Sequence, residues 1–327
     1  MTAGELGEFG VVGRLVGRLP QGGAVLLGPG DDGAVLSAPD GRVVVSTDLL
    51  VEGRHFRRDW STPYDIGRKA AAQNLADVAA MGATPTAIFT GLGLPPDVSA
   101  EWLDRLADGL RDECHLVGAS VAGGDVVRSE TVILGVTALG DLAGRPAVTR
   151  AGARPGQIVA VAGRLGWAAA GLALLQAGRS SGDPALEPLV DAHRRPRPPY
   201  ACGLAAFGLG ATAMLDVSDG LVQDLGHVAK ASGVGIFLDS TALAPASPLV
   251  DAAAVLNVPA LDWVLTGGDD HAFAAVFPAG RELPSEWRIV GEILEGSGVL
   301  VDGRVYRTGG WDHFSPANTD EIVTREK

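Results

Sequence analysis

The sequence predicts an α+β fold with mixed sheets in two domains, on three observations. At 327 residues the chain is longer than one hydrophobic core comfortably organises. Apolar β-branched runs alternate with amphipathic stretches, yet without the tight strand–helix–strand repetition of a parallel sheet. A turn-rich stretch from Asp141 to Gly156 lies between two apolar runs. It puts a boundary near residue 148, between an N-terminal domain over 1–148 and a C-terminal α/β domain over 149–327.

In the first domain, residues 5–19 make a short amphipathic helix weakened by glycines. Residues 24–27, 33–37 and 42–47 read as strands, with Gly28-Pro29-Gly30-Asp31-Asp32-Gly33 as the turn between the first two. The third run is apolar and β-branched through Val43-Val44-Val45, then stops in Ser46-Thr47-Asp48, which places polar side chains at a strand end. Thr62 caps the next helix, Pro63 suits its first position and Asp65 completes a capping box. That helix runs through Met81 and stops at Gly82. On it, Lys69, Gln73 and Asp77 fall at i, i+4 and i+8, with Asn74 beside them, and this polar stripe faces either water or a site. Asp97 or Ser99 opens another helix, with Trp102, Leu103, Leu106 and Leu110 on one face, and 130–140 is a strand.

The second domain begins with a strand at 158–161 and an Ala/Leu-rich helix from Trp167 to Gln176. The proline-rich run 194–199 is extended or looped. A strand at 213–217 leads into a helix from Ser218 to Ser232, ended by Gly233, and a strand over 234–239. Ser247 opens a further helix, and the loop Thr266-Gly267-Gly268-Asp269-Asp270-His271 precedes a strand at 272–277.

Composition narrows the chemistry. With 46% hydrophobic and 20% charged residues the chain is globular in character, and no apolar run nears the roughly 20 residues that span a bilayer. The first residues lack the basic and apolar segments of a signal peptide, and Cys114 and Cys202 are too few for a disulfide framework. The expected compartment is the reducing cytoplasm. A net charge of −13 argues against nucleic acid as a partner. Lys69, Lys230 and Lys327 are the lysines, and none closes a Gly-x-x-x-x-Gly-Lys-Ser/Thr phosphate loop. A phosphate-handling protein of this composition needs divalent cations for positive charge. With no Gly-x-Ser-x-Gly elbow, no activating setting for Cys114 and no His-x-x-x-His pair, nucleophilic serine or cysteine chemistry and zinc are disfavoured.

Acids recur at the ends of apolar runs: Asp32, Asp48, Asp77, Asp125, Asp216 and Asp219. Each has an ordinary reading. Gly30-Asp31-Asp32-Gly33 is also a hairpin turn, Ser46-Thr47-Asp48 a strand cap, Asp77 a solvated helix acid, and Ser218 and Asp219 caps of the following helix. Asp216 is harder to dismiss, because a carboxylate inside the apolar run Ala213-Met214-Leu215-Asp216-Val217 is costly to bury unless paired or metal-bound. Gathered together, these acids would repel without counter-ions, and hard oxygen ligands select Mg²⁺.

The order of motifs resembles the thiamine-monophosphate kinase family, in the superfamily of aminoimidazole ribonucleotide synthetase and selenophosphate synthetase. The resemblance spans Gly7-Glu8-Phe9, Gly30-Asp31-Asp32, Ser46-Thr47-Asp48, Gly53-Arg54-His55-Phe56, the run from Asn74 to Ala83, Gly123-Gly124-Asp125, Thr149-Arg150, Asp216-Val217-Ser218-Asp219-Gly220-Leu221, Gly267-Gly268-Asp269-Asp270 and Gly310-Trp311-Asp312-His313-Phe314. It implies an N-terminal mixed sheet with helices on one face, whose strands pair in a homodimer as a barrel-like interface. It also implies ATP-dependent phosphorylation of thiamine monophosphate to thiamine diphosphate, with Mg²⁺ at Asp32, Ser46, Thr47, Asp48, Asp77, Asp125, Asp216 and Asp219. Within that set Asp48, Asp77 and Asp216 are the expected catalytic acids. Gly124, Asp125, Arg150 and Ser218 correspond to nucleotide contacts, and His55, Asp269 and Trp311 to the substrate side. Two positions depart from the family pattern: Val126 stands where a threonine usually follows Gly-Gly-Asp, and Asp269 and His271 stand where Gly-Gly-Glu-Asp-Tyr is usual. Two rival readings are another ATP-dependent enzyme of the superfamily and a non-catalytic nucleotide- or Mg²⁺-binding protein; a phosphohydrolase is a third.

Overall fold

The computed structural model describes residues 1–29, 33–179, 183–306 and 310. Contacts divide the chain into two compact units. Among the described residues, unit 1 holds Met1–Ala79 and Ala83–Pro146, and unit 2 holds Ala80–Gly82 and those from Ala147 onward. Both are α+β with mixed sheets.

Unit 1 runs α1 (Ala3–Val16), β1 (Val25–Leu27), β2 (Val35–Leu36), β3 (Val44–Val51), α2 (Pro63–Ala80), β4 (Thr84–Leu94), α3 (Ala100–His115), β5 (Ser120–Arg128) and β6 (Ile133–Asp141). A four-stranded sheet has the order β3-β6-β4-β5, with β4 and β5 parallel and the other pairs antiparallel. Burial alternates along β6: Leu134, Val136, Ala138 and Gly140 point to the covered face. The same alternation leaves Val45 and Leu49 of β3 on the other face, 59% and 62% exposed.

The capping box expected at α2 is present: Asp65 accepts from the backbone N–H and hydroxyl of Thr62, and Thr62 Oγ1 accepts from the Asp65 N–H. Ser99 caps α3 by accepting from the Trp102 N–H at 3.1 Å. The two helices cross where neither carries a side chain. A Cβ on Gly67 would lie 2.3 Å from the Leu106 carbonyl oxygen, and one on Gly109 2.2 Å from that of Tyr64. Beside this crossing Arg68 pairs with Glu113, which is almost wholly buried. α1 is fastened to α3 by Arg14 on Asp104, and the segment just after α1 by Arg18 on Asp108, each at 2.5 Å.

Unit 2 runs β7 (Ile158–Ala162), α4 (Trp167–Gln176), α5 (Glu187–Arg194), α6 (Tyr200–Ala206), β8 (Ala213–Val217), α7 (Leu221–Ser232), β9 (Gly235–Leu238), α8 (Ser247–Leu256), α9 (Ala260–Thr266), β10 (Ala272–Phe277), β11 (Trp287–Leu294), β12 (Gly298–Val301) and β13 (Arg304–Val305). Its sheet has the order β13-β12-β9-β11-β7-β10-β8, antiparallel except between β12 and β9. β8 and β10 are buried along their whole length, which accounts for their nearly unbroken apolar sequences. Among the described residues no single helix is long and apolar enough to cross a membrane.

Two sequence expectations need correction. β3 does not end at Asp48: Leu49, Leu50 and Val51 continue pairing with β6, so Ser46-Thr47-Asp48 sits mid-strand on a sheet edge. Likewise the helix after β8 starts at Leu221, not Ser218, because Gly220 turns at φ 121°. Its first turn is closed by Asp224, which accepts from the N–H groups of Asp219 and Gly220, both at 3.0 Å. Ser218 and Asp219 lie before it rather than capping it.

Candidate active site

Each unit carries its own group of polar residues. In unit 1 the pleat of β3 sends Ser46, Asp48 and Leu50 to the helix-covered face. There Ser46 Oγ donates to Asp77 Oδ2 at 2.5 Å, joining the edge strand to α2. The polar stripe on α2 turns inward: Lys69 is 2% exposed and Asn74 fully buried. Lys69 Nζ donates to the His55 carbonyl at 3.2 Å, and His55 Nδ1 accepts from the Val51 N–H at 3.0 Å. His55 is thus held at the end of β3 by its ring and its backbone together.

Thr47 and Asp125 lie on the opposite side of the same sheet. Thr47 Oγ1 donates to the Val136 carbonyl and meets Thr137 Oγ1, each at 3.0 Å. Register carries Asp125 through Gly91 and Gly135 to Leu49, so its exposed carboxylate shares the face of Leu49 and Thr47. Gly124 has a packing reason of its own, since a Cβ there would meet the Thr90 carbonyl at 2.1 Å.

In unit 2 the strand-to-helix turn after β8 collects acids. Asp216 is 6% exposed within the sheet, and its Oδ2 lies 3.0 Å from His271 Nδ1. The loop before β10 wraps this turn: the Asp269 N–H donates to the Ser218 carbonyl at 2.9 Å, and the His271 N–H to that of Val217 at 3.1 Å. Gly268 permits the approach, because a Cβ there would lie 2.2 Å from the Ser218 oxygen. Asp224 is pushed up to about 7 by burial, with repulsion from Asp216 and Asp219 adding to it. Asp270 is also pushed up to about 7, by burial that outweighs backbone N–H bonds from Ala168 and Gly166. Arg150 is exposed, and its carbonyl accepts from Ser232 Oγ at 3.0 Å. Asp32 and Trp311 lie outside the described residues.

The donor set suits a hard cation. Its side chains are carboxylates and hydroxyls, and Asp224 is raised by burial with repulsion from Asp216 and Asp219 adding to it. Among the described residues no three His, Cys, Asp or Glu side chains form a ready chelate. Cys114 is buried, and burial with Glu113 alongside pushes its thiol up, so it is no nucleophile. A separate cavity of about 690 Å³ in unit 2, beside Arg164 and Arg197, includes none of the expected site residues in its lining.

Sequence reasoning passed over Asp224 and gave Asp270 no role of its own; it placed Lys69 on a stripe facing either water or a site, and His271 as a departure from the family pattern. Asp224 had a signal: an acid four residues after a glycine, in the first turn of a helix. Buried Lys69 had one too, as one of only three lysines in the chain, opening an alanine-rich run.

Two family models match, the N-terminal domain of AIR synthase related protein over residues 30–142 and its C-terminal domain over 154–301. The thiamine-monophosphate kinase of Mycobacterium tuberculosis H37Rv is 49% identical over 320 residues, covering 96% of this chain and 93% of that protein. That of Corynebacterium glutamicum is 43% identical over 298 residues, covering 90% and 88%. A solved structure named "AaThiL complexed with AMPPCP and TMP" superposes with a TM-score of 0.78 at 32% identity, covering 96% of this chain and 99% of that one. The Stenotrophomonas maltophilia K279a thiamine-monophosphate kinase gives 0.79 at 33%, covering 90% and 95%. By sequence and by fold alike, the chain belongs to the thiamine-monophosphate kinase family of AIR synthase related proteins.

Proposed function

We propose that this chain transfers the γ-phosphoryl group of ATP to the phosphate of thiamine monophosphate, giving thiamine diphosphate and ADP, with Mg²⁺ as its metal. One observation carries the reading: the β8–α7 turn brings Asp216, Asp219 and Asp224 into one segment, where Asp224 accepts from the Asp219 and Gly220 N–H groups and is raised by burial, with repulsion from Asp216 and Asp219 adding to it. A divalent cation offsets that negative charge and can hold a polyphosphate beside it. The family relationship supplies the acceptor.

The nucleophile in this reading is an oxygen of the substrate phosphate. A phosphate monoester has a second pKa of about 6, so that oxygen is largely ionised at neutral pH and needs no protein base. The chain's work is alignment for in-line transfer and charge neutralisation. Bound Mg²⁺ supplies the positive charge that phosphate oxygens require. In unit 1 Asp48 and Asp77 would serve as metal ligands, with Ser46 keeping Asp77 oriented; in unit 2 Asp216 and Asp219 would do so. Asp32, Thr47 and Asp125 complete the proposed metal set; the last two project from the open face of the unit 1 sheet, so their part requires a second copy. Gly124, Asp125, Arg150 and Ser218 contact the nucleotide, and His55, Asp269 and Trp311 the thiamine side, where an aromatic face suits a cationic thiazolium. A cytoplasmic homodimer belongs to the same proposal, supported by edge strand β3 with Val45 and Leu49 exposed on its open face.

The test is chromatographic detection of thiamine diphosphate from ATP, Mg²⁺ and thiamine monophosphate, with D48N and D216N as controls. Each substitution is expected to lower turnover by about 10²-fold or more while leaving circular dichroism unchanged. Near-native turnover in both would remove the acids from the mechanism, and ATP binding without product would favour the non-catalytic rival.

A further inference from the structure

We propose that His271 is a positioning residue: its imidazole holds the Asp216 carboxylate in the orientation that binds metal. The inference rests on the kinase reading above and adds to it a residue that the family pattern does not supply, since a tyrosine usually stands there.

The ring is 4% exposed, in the same buried layer as Asp216. Nδ1 lies 3.0 Å from Asp216 Oδ2, and Nε2 lies 4.0 Å from Asp269 Oδ1. Asp269 Oδ2 is in turn 4.0 Å from His193 Nδ1. Among the described residues His271 is the side chain that hydrogen-bonds Asp216. A carboxylate buried in a sheet keeps one useful rotamer only where a donor fixes it, and Asp216 has this donor.

The backbone is arranged to bring the ring there. Asp269 and His271 both take left-handed conformations, φ 68° and 52°, which side chains other than glycine adopt at a cost. The surroundings hold them in place. The Asp269 and His271 N–H groups are bonded to Ser218 and Val217, and β10 continues directly from His271 with Ala272 opposite Val217. A loop held this way at both strained residues fixes the imidazole on Asp216. Strain of this kind concentrates where side-chain placement serves a site.

The experiment measures Mn²⁺ binding by electron paramagnetic resonance on full-length wild type, D216N, H271A, H271N and H271Q without thiamine monophosphate, alongside thermal melts. Removing the partner of a metal-binding carboxylate costs about 10–100-fold in affinity, and H271A is expected to fall in that range. Asparagine places an amide N–H where Nδ1–H was and should recover most of the loss; glutamine places it near Nε2 and should not. A purely structural role predicts lowered melting temperatures with Mn²⁺ affinity unchanged in folded protein, and that result would overturn the proposal. So would H271N binding as weakly as H271A, or H271Q as tightly as wild type. D216N separates the two levels: if it binds Mn²⁺ like wild type, the assignment of Asp216 to metal fails. If D216N loses binding while H271A keeps it, only the role of His271 fails.

Discussion

Replacing Asp270 with asparagine is expected to stabilise the protein above neutral pH and to flatten the pH dependence of unit 2. Asp270 is buried beside α4, where its Oδ1 accepts from the Ala168 N–H at 2.9 Å. Its carboxyl is raised from the ordinary 3.8 to about 7, chiefly by burial. A raised acid favours the folded state fully below 3.8, and that advantage is lost as pH rises through 7. Between pH 5 and 8 the folded carboxyl resists ionisation over about two pH units, which at about 1.4 kcal/mol each comes to roughly 3 kcal/mol. Asparagine keeps a carbonyl oxygen for the Ala168 N–H and has no charge to bury. For a unit of this size about 1 kcal/mol corresponds to roughly 2–4 °C. Melting curves of wild type and D270N at pH 5 and pH 8 should therefore differ by about 6–12 °C in their pH response. Other titrating groups cancel in that comparison. Parallel pH profiles, or a variant less stable than wild type at pH 8, would refute the reasoning.

Three further outcomes follow from the packing and the site. G109A should destabilise unit 1 by about 1–3 kcal/mol or more, because its new Cβ would press on the Tyr64 carbonyl oxygen from 2.2 Å; an unchanged melting temperature would contradict the close crossing of α2 and α3. E113A leaves the partly buried Arg68 without its acid and should cost up to about 3 kcal/mol, read as a lower denaturant midpoint; a shift below about 1 kcal/mol would mean the pair is solvated. S46A removes the hydroxyl bonded to Asp77 and should cost about 1 kcal/mol of stability together with a fall in kcat; steady-state rates matching wild type would take Ser46 out of the site.

Much of this molecule was legible in its sequence where one physical rule acts alone. The strands over 213–217 and 272–277 appear with the bounds expected, because unbroken burial leaves an unbroken apolar run, and so does the Ala/Leu-rich helix from Trp167 to Gln176. β4 was not legible. It is an interior strand of the unit 1 sheet, yet Pro85, Gly91 and Gly93 interrupt the pattern that would mark it, and its pairing with β5 and β6 overrides local preference. The acids were legible by type, since carboxylates at the ends of apolar runs need a reason to be there. Which face each one takes was not: Thr47 and Asp48 are neighbours in sequence and lie on opposite sides of a sheet. Asp224 and His271 were hidden differently, because their contacts form only when a turn or a strained loop folds back on β8.

The central claim is tested most directly by phosphorus NMR of the purified protein with ATP, Mg²⁺ and thiamine monophosphate, against the same mixture lacking thiamine monophosphate. The account predicts the diphosphate resonances of thiamine diphosphate and ADP growing together, in the full mixture only. ATP left intact in the full mixture, or ADP and free phosphate forming without thiamine diphosphate, would contradict it.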